Sequence, residues 1–87
     1  MLIYRRKELI YLIFVIDTEQ KLKLEVINDM FFKDVISYLY VKYKWVKKLN
    51  ISYFMHKNKT IDIHKNVSQN NLKNGSIINC LRNNIKI

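Results

Sequence analysis

The chain has 87 residues and a mass of 10.6 kDa, the size of one small domain. Its 16 basic residues exceed its 7 acidic residues, which gives a net charge of +9 and an isoelectric point near 9.8. A hydrophobic fraction of 49% excludes a disordered chain. The single cysteine excludes an intramolecular disulfide framework and a cysteine-rich zinc site, and the single glycine excludes a glycine-rich phosphate-binding loop.

The composition also favours an A/T-rich genome, because isoleucine, lysine, asparagine and tyrosine have A/T-rich codons. Part of the lysine excess is then attributable to codon usage. The longest apolar run, Leu9 to Ile16, is far shorter than the roughly 20 residues of a membrane-spanning helix. Polar residues 17–20 follow it where a signal peptide has a small-residue cleavage site. We expect no transmembrane segment and an intracellular protein, cytoplasmic or organellar, with a mitochondrial location among the options.

Two strands open the predicted fold. Residues 9–16 are rich in β-branched and aromatic side chains and are too few for a typical helix. Residues 17–20 are polar and predict a turn. Residues 21–26 alternate strictly, which places Leu22, Leu24 and Val26 on one face of a second strand. Together these segments predict a β-hairpin.

One helix follows the hairpin. Asn28 and Asp29 are suitable helix-capping residues. After them, apolar side chains recur at the i, i+3, i+4, i+7 spacing of one helix face, and the pattern persists to about Tyr43. The seam of this predicted helix consists of Phe32, Val35, Ile36 and Leu39.

The second half predicts three short strands, at residues 51–55, 60–63 and 76–82. Residues 56–59 predict a turn, residues 64–71 a loop or a single helical turn, and Asn74-Gly75 a further turn. The predicted order is β-β-α-β-β-β, which belongs to the α+β class.

With these elements in place, the chain resembles the ubiquitin-like β-grasp family over residues 12–82. The resemblance implies a mixed ββαβ(β)β sheet packed on one helix, with a basic extension at 1–9, the domain at 10–83 and a tail at 84–87. Its matching residues are Ile13-Phe14-Val15, Leu22, Leu24, Glu25, Val26, Phe32, Val35, Leu39, Phe54, the turn 56–59, Leu72, Asn74-Gly75 and the closing segment 78–82. The expected core is Ile13, Val15, Leu22, Leu24, Val26, Phe32, Val35, Ile36, Leu39, Ile78 and Cys80.

The chain departs from the conjugating members of that family at its last residues. Those members end in a flexible tail with Gly-Gly, whereas residues 83–87 read Asn-Asn-Ile-Lys-Ile. We therefore expect a non-conjugating member. Such proteins include the small YukD-like proteins of bacterial type VII secretion loci and fixed ubiquitin-like subunits of large complexes, and the resemblance does not choose between them.

No residue pattern predicts an enzyme, a metal site or a cofactor. Cys80 lies at an inward position of the last predicted strand, where a buried apolar role is typical and no histidine partner accompanies it. His56 and His64 stand on separate loop segments, with only Asp62 and Cys80 as further candidate ligands. The seven acidic residues are dispersed.

The basic residues form three clusters, at residues 5–7, 42–48 and 57–59, which indicate a contact with anions or RNA. The cluster at residues 42–48 is interleaved with aromatic residues whose rings could stack on bases, namely Tyr40, Tyr43 and Trp45. An RNA-associated subunit of a ribonucleoprotein, such as an organellar ribosome, is the alternative function that this pattern leaves open. The candidate contact residues are Arg5, Arg6 and Lys7 of the first cluster and Lys42, Lys44, Lys47 and Lys48 of the second. Lys57 and Lys59 form a third cluster.

The preferred interpretation of the function rests on the first predicted strand, residues 9–16. If Tyr11, Ile13 and Val15 point inward, the alternate side chains form an apolar stripe on the free face of a central strand. A stripe of that kind predicts a protein-binding surface, so we expect a non-catalytic adaptor or structural subunit of a larger assembly. The predicted protein-binding residues are Leu12, Phe14, Ile16, Tyr53 and Leu81.

Overall fold

The computed structural model describes residues 7–17 and 19–82. Within them, a five-stranded sheet has the order β2-β1-β5-β3-β4. The central pair, β1 and β5, is parallel, and the other neighbours are antiparallel. This mixed sheet and its helix confirm the predicted α+β architecture. The elements are β1 Leu9–Ile16, β2 Gln20–Ile27, α1 Phe32–Lys42, α2 Lys44–Lys47, β3 Ile51–His56, β4 Lys59–Thr60 and β5 Ser76–Arg82.

The opening hairpin has the predicted strands. β1 spans the predicted residues, and β2 is one residue longer at each end. Asp17 adopts a left-handed φ of 53° in the connecting turn. Arg82 in β5 donates two hydrogen bonds to the Asp17 carboxylate, at 2.9 and 3.0 Å. The turn is therefore tied to the last strand as well as to its own hairpin.

The helix begins as its apolar seam predicts, but its N-terminus is stabilised differently. Neither Asn28 nor Asp29 caps it, because the N-cap residue is Phe31 and no side chain supplies a cap. Instead, the first two amide groups of α1 donate to the backbone carbonyls of Lys65 and Ile63, at 2.9 and 3.1 Å. A distant loop thus satisfies donors that a capping side chain satisfies in many helices.

The core corrects the predicted orientation of β1. Leu12, Phe14 and Ile16 are 0–2% exposed and pack under the helix, whereas Ile13 and Val15 are half-buried on the opposite face. The hairpin register explains this result. Leu12 pairs with Leu24 and Phe14 with Leu22, and directly paired residues share one face of an antiparallel ladder. The apolar face of β2 therefore selects the even-numbered side chains of β1.

Three phenylalanine rings join the sheet to the helix. The ring centroid of Phe14 lies 6.4 Å from that of Phe32 in α1 and 6.1 Å from that of Phe54 in β3. The rings of Phe32 and Phe54 meet edge to face at 5.5 Å. Each such pair contributes about 0.5–1.5 kcal/mol beyond its buried area. The buried core is Ile10, Leu12, Phe14, Ile16, Leu24, Val26, Phe32, Val35, Leu39, Val46, Phe54, Ile61, Val67, Leu72, Ile78 and Cys80.

The second half differs from its prediction in two places. The strand predicted at 60–63 is wrong except at Thr60, because β4 is Lys59–Thr60 and residues 61–63 are not in a strand. The additional short helix α2 places Val46 in the core. The turn between β3 and β4 has left-handed φ values of 49° at Lys57 and 65° at Asn58, which match the right-handed twist of a tight hairpin. Within the described residues, no helix is long and apolar enough to cross a membrane.

Candidate protein-interaction surface

The face of the sheet that points away from α1 carries a cluster of apolar side chains, here called the outer face. Side chains alternate along a strand, so the neighbours of the buried residues point to this side. Ile13 and Val15 of β1 flank the buried Phe14, and Ile77 of β5 precedes the buried Ile78. The apolar and aromatic members of the outer face are Tyr11, Ile13, Val15, Tyr53, Met55, Ile77 and Leu81.

Strand pairing makes these side chains one continuous surface. Ile13 is the direct partner of Ile77 in the parallel β1–β5 pair. Tyr53 is the direct partner of Leu81 in the antiparallel β3–β5 pair. Asn79 lies between Val15 and Met55 and provides a polar centre. Ile77 is 50% exposed and Tyr53 is 43% exposed, so the apolar surface faces solvent in this chain.

The rim of the outer face along β2 carries two lysines, Lys21 and Lys23, and one acidic residue, Glu25, which pairs with Tyr11. Lys21 pairs with Val15 and Lys23 with Ile13, so both lysines stand on the outer side of the sheet. The Lys23 ammonium lies 4.4 Å from the centroid of the Tyr11 ring, a cation–π contact. Apolar side chains around Asn79, with two lysines at the β2 edge, favour a partner surface that is mainly apolar and carries acidic groups opposite those lysines.

The structure divides the predicted protein-binding residues into two groups. Tyr53 and Leu81 lie on the outer face. The predicted outward orientation of Leu12, Phe14 and Ile16 is wrong, because these side chains fill the core and no partner reaches them in the folded domain. Sequence reasoning missed the outer-face residues that the pairing brings together with Tyr53 and Leu81. These are the exposed Ile77 and the half-buried Ile13, Val15 and Met55.

The predicted basic cluster at residues 42–48 is exposed, but its aromatic residues are not a shared stacking platform. The Tyr43 hydroxyl donates to the backbone carbonyl of Lys23 at 3.0 Å. Tyr40 is half-buried, and its pKa is raised by burial and secondarily by Cys80. Trp45 is 42% exposed. In the first basic cluster, the Lys7 Nζ atom lies 3.5 Å from Oδ2 of Asp29, and Arg5 and Arg6 lie outside the described residues.

The titratable residues considered for chemistry are dispersed over the described part of the chain. Cys80 is buried, and burial raises the pKa of its thiol to about 12, which suppresses the reactive thiolate at neutral pH. The pKa of His56 is lowered by burial and then by the charge of Lys57. Among residues 7–17 and 19–82, no group of three histidine, cysteine or acidic side chains is placed to hold a metal ion.

Comparison with known proteins shows the fold. The chain is similar to the ubiquitin of Caldiarchaeum subterraneum, with a TM-score of 0.71, 13% identity, and coverage of 92% of this chain and 100% of that chain. It is also similar to a designed protein based on ubiquitin, with a TM-score of 0.68, 10% identity, and coverage of 82% and 84%. No family model and no curated protein matches the sequence. The chain therefore has the ubiquitin-like β-grasp fold.

Proposed function

We propose that the chain is a non-catalytic protein-interaction module whose outer face docks a partner protein. The carrying observation is the apolar surface that crosses β1, β5 and β3, with Ile77 and Tyr53 about half exposed. An exposed apolar cluster with a polar rim is typical of protein-interaction sites. The module acts as an adaptor or as a structural subunit of a larger assembly.

The partner has a mainly apolar segment and acidic residues that meet Lys21 and Lys23 of β2. Lys21 and Lys23 stand beside Val15 and Ile13 on that side. Charge complementarity across such a rim increases the association rate and excludes basic competitors. A non-conjugating role, in the manner of a YukD-like protein or of a fixed subunit, remains a prediction from the sequence, and residues 83–87 lie outside the described residues.

The RNA-associated alternative has less support. Base stacking requires accessible ring faces. Tyr40 is half-buried, and the Tyr43 hydroxyl is bound to β2. Trp45, at 42% exposed, is the ring of this cluster that is accessible, and exposed lysines beside a single ring provide mainly salt-dependent attraction to phosphates.

A site-specific crosslinking experiment tests the docking surface. A photoreactive amino acid replaces Ile77 on the outer face in one variant and Val41 on α1 in a second variant, since Val41 is 69% exposed on the helix side of the domain. Both variants are expressed in the source cells and irradiated. We expect a discrete crosslinked protein from position 77 and none of the same mass from position 41.

Charge reversal provides the second arm of this test. Ile77→Asp is expected to abolish co-purification of the crosslinked partner, whereas Val41→Asp retains it. Circular dichroism and thermal melting confirm that both variants remain folded. Equal retention of the partner by the two variants, or crosslinks from position 41 alone, would contradict docking through the outer face.

A further inference from the structure

A concave region, here called the lysine cleft, lies at one end of the sheet. It has a volume of about 930 Å³ and lies between the β3–β4 turn, the loop over residues 61–75 and the start of β5. Ligand pockets in proteins commonly have volumes of about 300–1,000 Å³. The cleft meets the outer face at Ile77 and Asn79 but is otherwise separate from it.

Hydrogen bonds fix the walls of the lysine cleft. The Asn70 side chain accepts from the amide of Asp62 at 2.9 Å and donates to the carbonyl of the same residue at 2.9 Å. Asn74 accepts from the amide of Tyr11 at 2.9 Å, and the Gly75 amide donates to the Tyr11 carbonyl at 2.8 Å. These bonds join the loop to itself and to β1, so the backbone of the cleft is organised before any ligand binds.

The charge of the cleft is strongly positive. Lys57, Lys59, Lys65 and Lys73 line it, against Asp62 as its acidic residue. A carboxylate oxygen of Asp62 accepts the amide of His64 at 2.9 Å. Across residues 7–17 and 19–82, the ion pairs are Lys7–Asp29 and Arg82–Asp17, both outside the cleft. In that part of the chain none of the four cleft lysines forms an ion pair, and Asp62 offsets their charge only at longer range.

The neutral lining supplies further polar groups. His56 lies at the cleft, and its lowered pKa leaves the imidazole uncharged at neutral pH, with one donor and one acceptor. Asn71 and Asn79 are exposed in the lining and contribute amide donors. Ile77 provides an apolar wall at the entrance. This combination suits a compact anion with several negative charges.

We propose that the lysine cleft binds a polyphosphate group, as present in a nucleoside triphosphate or in inorganic tripolyphosphate. Lysine ammonium groups bind phosphate oxygens as point charges. Charges placed around a concave site act together on a compact polyanion, whereas evenly dispersed surface lysines do not. The cleft and the outer face share Ile77 and Asn79, but the four lysines are not members of the outer face, so substitution of the lysines tests the cleft separately.

Titration followed by NMR of the full chain tests the proposal. Tripolyphosphate, ATP, AMP and a ten-nucleotide single-stranded RNA are the probes. We expect saturable shifts in the amides of residues 56–62 and 69–76 and in the His56 ring with tripolyphosphate and ATP, and at least tenfold weaker binding of AMP. The His64 ring does not line the cleft and serves as an internal reference.

A pair of charge-matched variants separates a site from general attraction. Lys57, Lys59, Lys65 and Lys73 are replaced by Gln in one variant, and Lys42, Lys44, Lys47 and Lys48 in the other. Each lowers the formal net charge from +9 to +5. We expect at least tenfold weaker tripolyphosphate binding in the first variant and less than a threefold change in the second.

Three outcomes would overturn the proposal. Equal losses in the two variants would show that net charge alone attracts the anion. Shifts that do not saturate, or that map outside the cleft, would show that no site exists. Tighter binding of the RNA than of tripolyphosphate at equal phosphate concentration would show that the cleft follows a nucleic-acid backbone instead of enclosing a compact group.

Discussion

The two faces of β1 have similar chemistry and opposite roles. Leu12, Phe14 and Ile16 point toward the helix and are buried, whereas Tyr11, Ile13 and Val15 point to the other side and remain partly accessible. Hydrophobicity does not separate the two sets. Their neighbours do, since Leu12 and Phe14 pair with the leucines of β2, whereas all three residues of the second set pair with its charged side chains. In a central strand that is apolar throughout, the amphipathic neighbour decides which face becomes the core.

Truncation of the inner face is expected to have the largest effect. Phe14 is 0% exposed and contacts the rings of Phe32 and Phe54. Phe14→Ala removes both ring contacts and leaves a cavity, so we expect a loss of about 3–5 kcal/mol in the free energy of unfolding. Urea denaturation monitored by circular dichroism measures it. A loss below about 1 kcal/mol would show that Phe14 is not in the core.

The inner face also predicts a pH dependence through Cys80. Burial raises the pKa of the folded thiol from its ordinary value of 9.0 to about 12. The stability associated with the neutral thiol is therefore complete below pH 9 and is lost as the pH rises toward 12. Between pH 8 and pH 10.5, we expect about 2 kcal/mol more destabilisation in the wild-type chain than in Cys80→Ala, measured by urea denaturation. Equal pH responses would place the thiol in water.

Substitution of Gly75, where the loop over residues 61–75 contacts Tyr11, is expected to have an intermediate effect on stability. Its φ is +83°, and a Cβ there would lie 3.2 Å from the Tyr11 hydroxyl. Gly75→Ala combines left-handed strain with this close contact, so we expect a loss of about 1–2 kcal/mol in thermal or chemical denaturation. The double variant Gly75→Ala/Tyr11→Ala separates the two causes. Recovery of part of the loss assigns that part to the contact.

Truncation of the outer face is expected to have the smallest effect on stability. Ile77 is 50% exposed and makes its cross-strand contact with Ile13. Ile77→Thr keeps the β-branched shape, so we expect a change within about 0.5 kcal/mol in the free energy of unfolding. Partner binding is expected to fall in the same variant. A stability loss comparable to that of Phe14→Ala would show that the two faces are not distinct.

Much of the fold followed from local patterns. The alternation of β2, the seam of α1 and the Asn74-Gly75 turn each specified a structure within a few residues. The local pattern did not specify which side chains of β1 point toward the helix. When every side chain of a strand is apolar, alternation allows either set to be buried. The signal was present in the hairpin, where Ile16 pairs with Gln20 and so brings Leu12 opposite Leu24. Applying the β2 pattern across the turn identifies the correct face.

The candidate sites were harder to predict than the fold. The outer face brings Tyr53 of β3 and Ile13 of β1 together through β5, and the parallel β1–β5 register depends on a long connection that has no local signature. The lysine cleft likewise depends on the loop over residues 61–75, whose path is set by the side-chain bonds of Asn70. Neither hydrophobic period nor turn propensity encodes these contacts.

The bond between the Tyr43 hydroxyl and the Lys23 carbonyl has a consequence for behaviour at high concentration. β2 is an edge strand, and an open edge is a template on which other chains add strands and aggregate. The Tyr43 hydroxyl occupies the Lys23 carbonyl, a backbone acceptor in the middle of this edge strand. The ammonium groups of Lys21 and Lys23 repel a second copy of the chain, which carries the same charge. A single ring from the end of α1 thus helps a small, hydrophobic and isoleucine-rich domain to resist fibril growth.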